Sequence, residues 1–205
     1  ALHDDAKMLP FSAFIDVFRG NGMATRKIAV IVGSLRKESF TRKVACTLML
    51  LAPPTLEMEI VEIRQLPLYN QDDDENPPAT YTEFREKIKE FDGVLFCTPE
   101  YNRSVPGGLK NAIDIGSRPY GGSAWNGLPC AIVSVSPGAI GGFGANHHLR
   151  QMTVFLNMPA MQQPEAYVGQ AAKLFDGDKL TDDSTRAFLQ NFVDAFAAWV
   201  ERHAD

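Results

Sequence analysis

Cysteine is scarce in this 205-residue chain, and the three present, Cys46, Cys97 and Cys130, are far apart and odd in number. A zinc or dithiol redox centre needs a close pair of thiols, and no such pair exists. Each cysteine sits in an otherwise apolar segment, so the expectation is three buried free thiols in a reducing, cytoplasmic compartment. Basic residues are thin as well: 20 Lys and Arg against 25 Asp and Glu leave a formal net charge of −5. With no Lys/Arg-rich run, nucleic acid is not an expected partner. No apolar run approaches the roughly 20 residues needed to cross a membrane. Two nucleotide signatures are missing too. There is no G-x-x-x-x-G-K-[ST] loop and no G-x-G-x-x-G fingerprint, which sets aside the P-loop and the dinucleotide fold.

What is present is a 45% hydrophobic chain, long enough for one domain with a full core. Ala1 to Thr25 reads differently from the rest. It carries a helix-like stripe at Phe11, Phe14, Ile15 and Phe18, broken by Asp16 and Arg19. No apolar stretch followed by a small-residue cleavage site appears, so it is not a secretory signal. Met23 stands just before the first strand, and residues 1–25 are expected to be a leader or an upstream extension. Residues 26–205 are expected to form a single domain.

From Lys27 onward strands and helices alternate. Lys27–Val32 is an apolar strand, followed by a helix with Val44, Leu48 and Leu51 at helical spacing and stopped by Pro53-Pro54. Glu57–Ile63 alternates like an outer strand, and Pro67–Ala79 is a polar, proline-broken loop. Tyr81–Phe91 is helical, Gly93–Thr98 a fully buried strand, 105–117 a helix and Cys130–Val135 another buried strand. A fourth helix spans about Gly142–Leu156, and Met161–Val168 reads as the fifth strand. The last helix places Phe188, Phe192, Val193, Phe196 and Val200 on one face after the acidic start Thr181-Asp182-Asp183. Five strands alternating with five helices imply an α/β fold. We expect a doubly wound five-stranded parallel sheet of order 2-1-3-4-5 with helices on both faces. Ligands of such sheets bind beyond the carboxyl ends of the strands at the switch point. In this order the loops after strands one, three and four are neighbours.

Those three loops hold the unusual chemistry. The first, Gly33-Ser34-Leu35-Arg36-Lys37-Glu38-Ser39-Phe40-Thr41-Arg42, gathers hydroxyls and a guanidinium at a helix start, where unpaired N–H groups favour an anion. Hydroxyls in place of a glycine run point to a terminal monophosphate, the form carried by FMN. The second, Pro99-Glu100-Tyr101-Asn102-Arg103-Ser104 through Asn111, offers an aromatic face, an amide, and Gly107-Gly108. The third, Ser134-Val135-Ser136-Pro137-Gly138-Ala139-Ile140-Gly141-Gly142-Phe143-Gly144, has four glycines in seven residues, which would let a planar ring approach the backbone.

With these segments together, the chain resembles the NAD(P)H-dependent FMN reductase family, within it the bacterial chromate/quinone reductase branch. The resemblance rests on Gly-Ser-Leu-Arg-x-x-Ser-Phe, Pro-Glu-Tyr-Asn-x-Ser-x-Pro-Gly-x-Leu-Lys-Asn-Ala-Ile-Asp and Gly-x-x-Gly-Gly, and covers about residues 26–203. It implies a flavodoxin-like fold, non-covalent FMN, NADPH or NADH as donor, and a homodimer or homotetramer. By resemblance the phosphate lies on Ser34, Arg36, Ser39, Phe40 and Thr41. The isoalloxazine lies against Pro99, Glu100, Tyr101 and Asn102, with Arg103 and Ser104 nearby and Ser136, Gly138, Gly141 and Gly142 on another side. Thr41 stands where Asn is frequent, and Arg103 replaces an aromatic residue of some relatives. Gly144 and His147 stand where some relatives have Arg and Tyr near subunit contacts.

The implied reaction is ping-pong hydride transfer from NAD(P)H through FMN N5 to quinones, chromate or other metal oxyanions, azo compounds or free flavin. The flavin carries the chemistry, so no catalytic side chain is assigned. Glu100 suits structural hydrogen bonding better than proton transfer, and His147, His148 and Arg150 suit an interface or the core. Tyr69 reaches a neighbouring subunit's flavin or packs within its own chain. Asp72-Asp73-Asp74-Glu75 lacks the spacing and glycine of a calcium loop and reads as solvated. Two alternatives stand beside the reductase: a flavodoxin-type electron carrier, and a scaffold with vestigial cofactor loops.

Overall fold

The computed structural model describes residues 24–204, so nearly all of the expected leader lies outside the described residues. The elements are β1 (Arg26–Val32), α1 (Phe40–Leu51), β2 (Leu56–Ile60), α2 (Ala79–Lys89), β3 (Gly93–Thr98) and α3 (Gly107–Gly116). They continue with β4 (Cys130–Val135), α4 (Phe143–Phe155), β5 (Ala166–Val168), a short hairpin β6 (Phe175–Asp176) and β7 (Lys179–Leu180), and α5 (Asp183–His203). β1 to β5 form one sheet in the order β2-β1-β3-β4-β5, with every neighbouring pair parallel. The expected fold class and strand order are therefore observed.

Alternation along the central strands divides the core. Ile28, Val30 and Val32 of β1 face α1 and α5, packing with Val44, Leu48, Phe192, Phe196 and Val200. Ala29 and Ile31 face the other way, toward Phe84 and Ile88 of α2, Leu109 and Ile113 of α3, and Leu149 of α4. β3 and β4 are buried along their whole length, as strands covered on both faces must be. β2 is an outer strand, with an alternating burial pattern.

Three expectations need correction. The fifth strand is much shorter than Met161–Val168. The chain touches β4 first at Ala160, where Met161 N–H donates to Cys130 O (2.8 Å), and pairs again only over Ala166–Val168. Between them Pro164 has no N–H to give a ladder. Secondly, Cys46 is exposed, while Cys97 and Cys130 are buried. It lies on the outward side of α1, whose inward side is Thr41, Val44, Ala45, Thr47 and Leu48. Thirdly, the loop over Pro67–Ala79 is not wholly irregular: Gln71–Asp73 makes one 3₁₀ turn, with the Asn70 side chain accepting from Asp72 N–H at 3.2 Å. The β6–β7 hairpin was not expected, although Gly177 at φ +58° after Asp176 supplies its turn.

Candidate functional site

The three loops meet at the carboxyl edge of the sheet. Gly33 leaves β1 with its N–H donating to Cys97 O of β3 (2.8 Å). A side-chain carbon at Gly33 would come within 2.9 Å of Leu109 Cδ2 and 3.3 Å of Pro99 Cδ, so the first loop lies directly on the second. The second lies equally closely on the third. A carbon at Gly144 would fall 2.5 Å from Arg103 O and 3.0 Å from Glu100 Oε2. Glycine at 144 lets the second and third loops touch here; a larger residue would require the Arg103 carbonyl to shift.

Around the first loop, Ser34, Ser39 and Thr41 are nearly fully buried. Ser39 caps α1, its Oγ accepting from Arg42 N–H at 3.1 Å. Among the described residues the hydroxyls of Ser34 and Thr41 make no hydrogen bond, and the amides of Phe40 and Thr41, in the first turn of α1, have no acceptor. Arg36 is exposed and Phe40 half-buried. Hydroxyls, spare amides and one cation at a helix start form the donor set that a phosphate monoester dianion requires.

The second loop is a tight two-residue turn. Tyr101 and Ser104 exchange both backbone hydrogen bonds at 3.0 Å, with Asn102 at φ +50° and Arg103 at φ +64° between them. Both central residues therefore sit in the left-handed region, tolerable for Asn and costly for Arg. Tyr101, Asn102 and Arg103 are exposed, Pro99, Glu100 and Ser104 partly buried. Glu100 is committed to the structure. Its Oε2 accepts from Ala145 N–H in the first turn of α4 (3.1 Å) and its Oε1 faces Arg103 Nη1 at 3.3 Å. A carboxylate at a helix start gains from the unpaired amides and the dipole there.

In the third loop, Ser136 Oγ accepts from Gly138 N–H at 3.0 Å. Gly141 (φ +65°) and Gly142 (φ +77°) are buried, and carbons there would strike the Tyr167 backbone at 2.7 Å and Ser134 Cβ at 3.1 Å. Their missing side chains serve the chain's own packing, leaving Gly138 as the glycine among the four predicted site residues of this loop that is open to solvent. Next to it, His147 Nε2 lies 2.9 Å from Tyr167 Oη, and His148 Nδ1 lies 2.8 Å from Ser104 Oγ. Burial and the nearby Glu165 push the Tyr167 phenol up to about 12. Arg150 donates to Asn146 Oδ1 (3.1 Å) and Met161 O (3.0 Å). These are contacts within the chain. So are those of Tyr69, whose hydroxyl donates to Asp74 and whose ring lies under the Arg118 guanidinium at 5.5 Å. The rest of the acidic run stays at the surface.

The sequence model of NADPH-dependent FMN reductases matches residues 26–173. The chain belongs to the NADPH-dependent FMN reductase family. It is an oxidoreductase that works with FMN and with NAD(P)H as electron donor. A quinone reductase of Pseudomonas putida is 65% identical over 175 residues, covering 85% of this chain and 94% of that one. A 2-hydroxy-1,4-benzoquinone reductase of a Burkholderia species is 46% identical over 175 residues, covering 85% and 96%. Among solved structures, FerB of Paracoccus denitrificans, a flavoenzyme NAD(P)H:(acceptor) oxidoreductase, superposes with a TM-score of 0.83 at 42% identity, covering 88% of this chain and 100% of that one.

Proposed function

We propose that this family member is a quinone reductase that holds FMN across the three loops and turns over by a ping-pong sequence. The observation that carries the reading is the contact of all three loops at one sheet edge, with the hydroxyls of largely buried residues and free amides at the start of α1. In this reading Ser34, Arg36, Ser39, Phe40 and Thr41 hold the phosphate. Pro99 to Ser104 with Ser136, Gly138, Gly141 and Gly142 border the ring. Bound there, FMN would supply the two-electron exchange at N5 between NADPH or NADH and the second substrate.

The chain's own contribution is a shelf rather than a closed pocket. Tyr101, Ile140 and Phe143 are about half exposed around it, an apolar rim against which a flat aromatic acceptor can lie. The shelf takes donor and acceptor in turn. Quinones fit by analogy with the Pseudomonas and Burkholderia relatives. Chromate and azo compounds are further acceptors in this reading. We place the enzyme in the cytoplasm as a homodimer or homotetramer. Among the described residues no helix is long and apolar enough to cross a membrane.

The test is the visible spectrum of the protein loaded with FMN. Under anaerobic conditions NADPH or NADH is expected to bleach it, and a benzoquinone to restore it. Initial rates against both substrates should give parallel double-reciprocal lines. Flavin that binds but does not bleach would favour the electron-carrier alternative, and intersecting lines would remove the ping-pong order.

A further inference from the structure

Arg64 belongs to none of the three loops, yet its side chain reaches the middle of the first. It follows β2, between the buried anchors Ile63 and Leu66, and its guanidinium donates to the carbonyl of Leu35. Leu35 is held from a second side as well. Its side chain is partly buried, and a carbon at Gly108 at the start of α3 would meet Leu35 Cδ1 at 3.5 Å. With side chain and carbonyl both engaged, the Leu35–Arg36 peptide has one orientation. In a planar trans peptide the C=O and N–H point in opposite directions. Arg64 therefore turns the Arg36 amide away from itself, toward the side of the loop opposite β2's exit.

Among the described residues Arg64 joins Arg36 and Lys37 of the loop itself as a cation with no carboxylate within 4.0 Å, whereas its other basic neighbours are paired. Arg42 is neutralised by Glu62 at 2.6 Å, and Lys43 by Asp178 at 3.2 Å. The one hydrogen bond of Arg64 among the described residues goes to a carbonyl, so its full positive charge stays beside the phosphate loop. We propose that Arg64 is a positioning residue for the cofactor's phosphate. It fixes the Leu35–Arg36 peptide and adds a further cation to Arg36 and Lys37, so that the site prefers a phosphorylated flavin over the bare one. This rests on the reading that the phosphate occupies residues 33–41.

The test compares FMN with riboflavin, which lacks the phosphate. Full-length protein stripped of flavin is titrated with each, by quenching of flavin fluorescence, for the unaltered chain, Arg64→Met, Arg64→Gln and Arg36→Ala. Both Arg64 variants are expected to bind FMN roughly 3- to 10-fold more weakly, the range for a partly exposed charge-assisted contact, and riboflavin unchanged within about twofold. The FMN affinity of the variants should also fall less steeply with added salt. Equal losses for the two flavins would reduce Arg64 to loop packing, and unchanged FMN affinity would remove it from the site; either overturns the proposal. Arg36→Ala separates this from the reading beneath it. If that variant also leaves the FMN-to-riboflavin ratio unchanged, the phosphate assignment itself fails.

Discussion

At the residue scale, the three cysteines show how position on an element outweighs residue type. Cys97 and Cys130 lie inside β3 and β4, where burial disfavours a thiolate and pushes Cys130 up to about 12 and Cys97 higher still. Cys46 lies on the solvent side of α1. Because the thiolate is the nucleophile, only an accessible thiol reacts quickly with a disulfide reagent. Titration of the folded protein with such a reagent at pH 8 is expected to modify one thiol per chain, and three after denaturation. Loss of that single fast thiol in Cys46→Ser would confirm its identity; two fast thiols in the folded protein would contradict the burial of Cys97 or Cys130. Glu100 makes the same point in the site. Its type suggests acid–base work, but its bond to Ala145 N–H makes it the acceptor at the start of α4.

At the element scale, α5 depends on Asp182, whose carboxylate accepts from Thr185 N–H and Ser184 Oγ, both at 2.7 Å. These bonds pull its pKa below the ordinary 3.8. The folded-state value is thus below the unfolded one. The ionic part of the cap is complete above pH 3.8 and fades as pH falls through the folded value. Asp182→Ala is expected to melt at a lower temperature at pH 7, with the gap narrowing below pH 4; a gap constant down to pH 2 would show that ionisation plays no part. This cap was legible in Thr181-Asp182-Asp183, as were β1, β3 and β4 in their unbroken apolar runs and the three loops in their hydroxyls, glycines and prolines. The extent of β5 was not, because parallel pairing is decided by a partner strand far away in sequence and not by the run itself. The β6–β7 hairpin was missed although Asp176-Gly177 marks it. Arg64 and Gly144 were illegible for a different reason: what matters about each is a contact with a distant segment, Leu35 for one and Arg103 for the other.

At the scale of the whole molecule, the largest apolar side chains left in solvent include Leu68, Tyr120, Val154 and Phe155, each about four-fifths exposed. Tyr120 and Phe155 line a cleft of about 560 Å³ together with Tyr69, next in sequence to Leu68. Exposed aromatic side chains at such a cleft suit a contact between proteins, and copies of the chain are expected to associate through Tyr120 and Phe155. Light scattering is expected to report more than one copy per particle, and Phe155→Asp to reduce the mass to that of one chain while FMN binding persists. A single-chain mass for the unaltered protein would remove this face from the assembly. Arg103 has a consequence of another kind. A side chain held at φ +64° taxes every folded molecule, whether or not it is turning over. Glycine there would relieve that strain, so breeding this protein for heat resistance alone would be expected to erase the arginine. If Arg103 serves the proposed site, endurance and chemistry would pull the same codon in opposite directions.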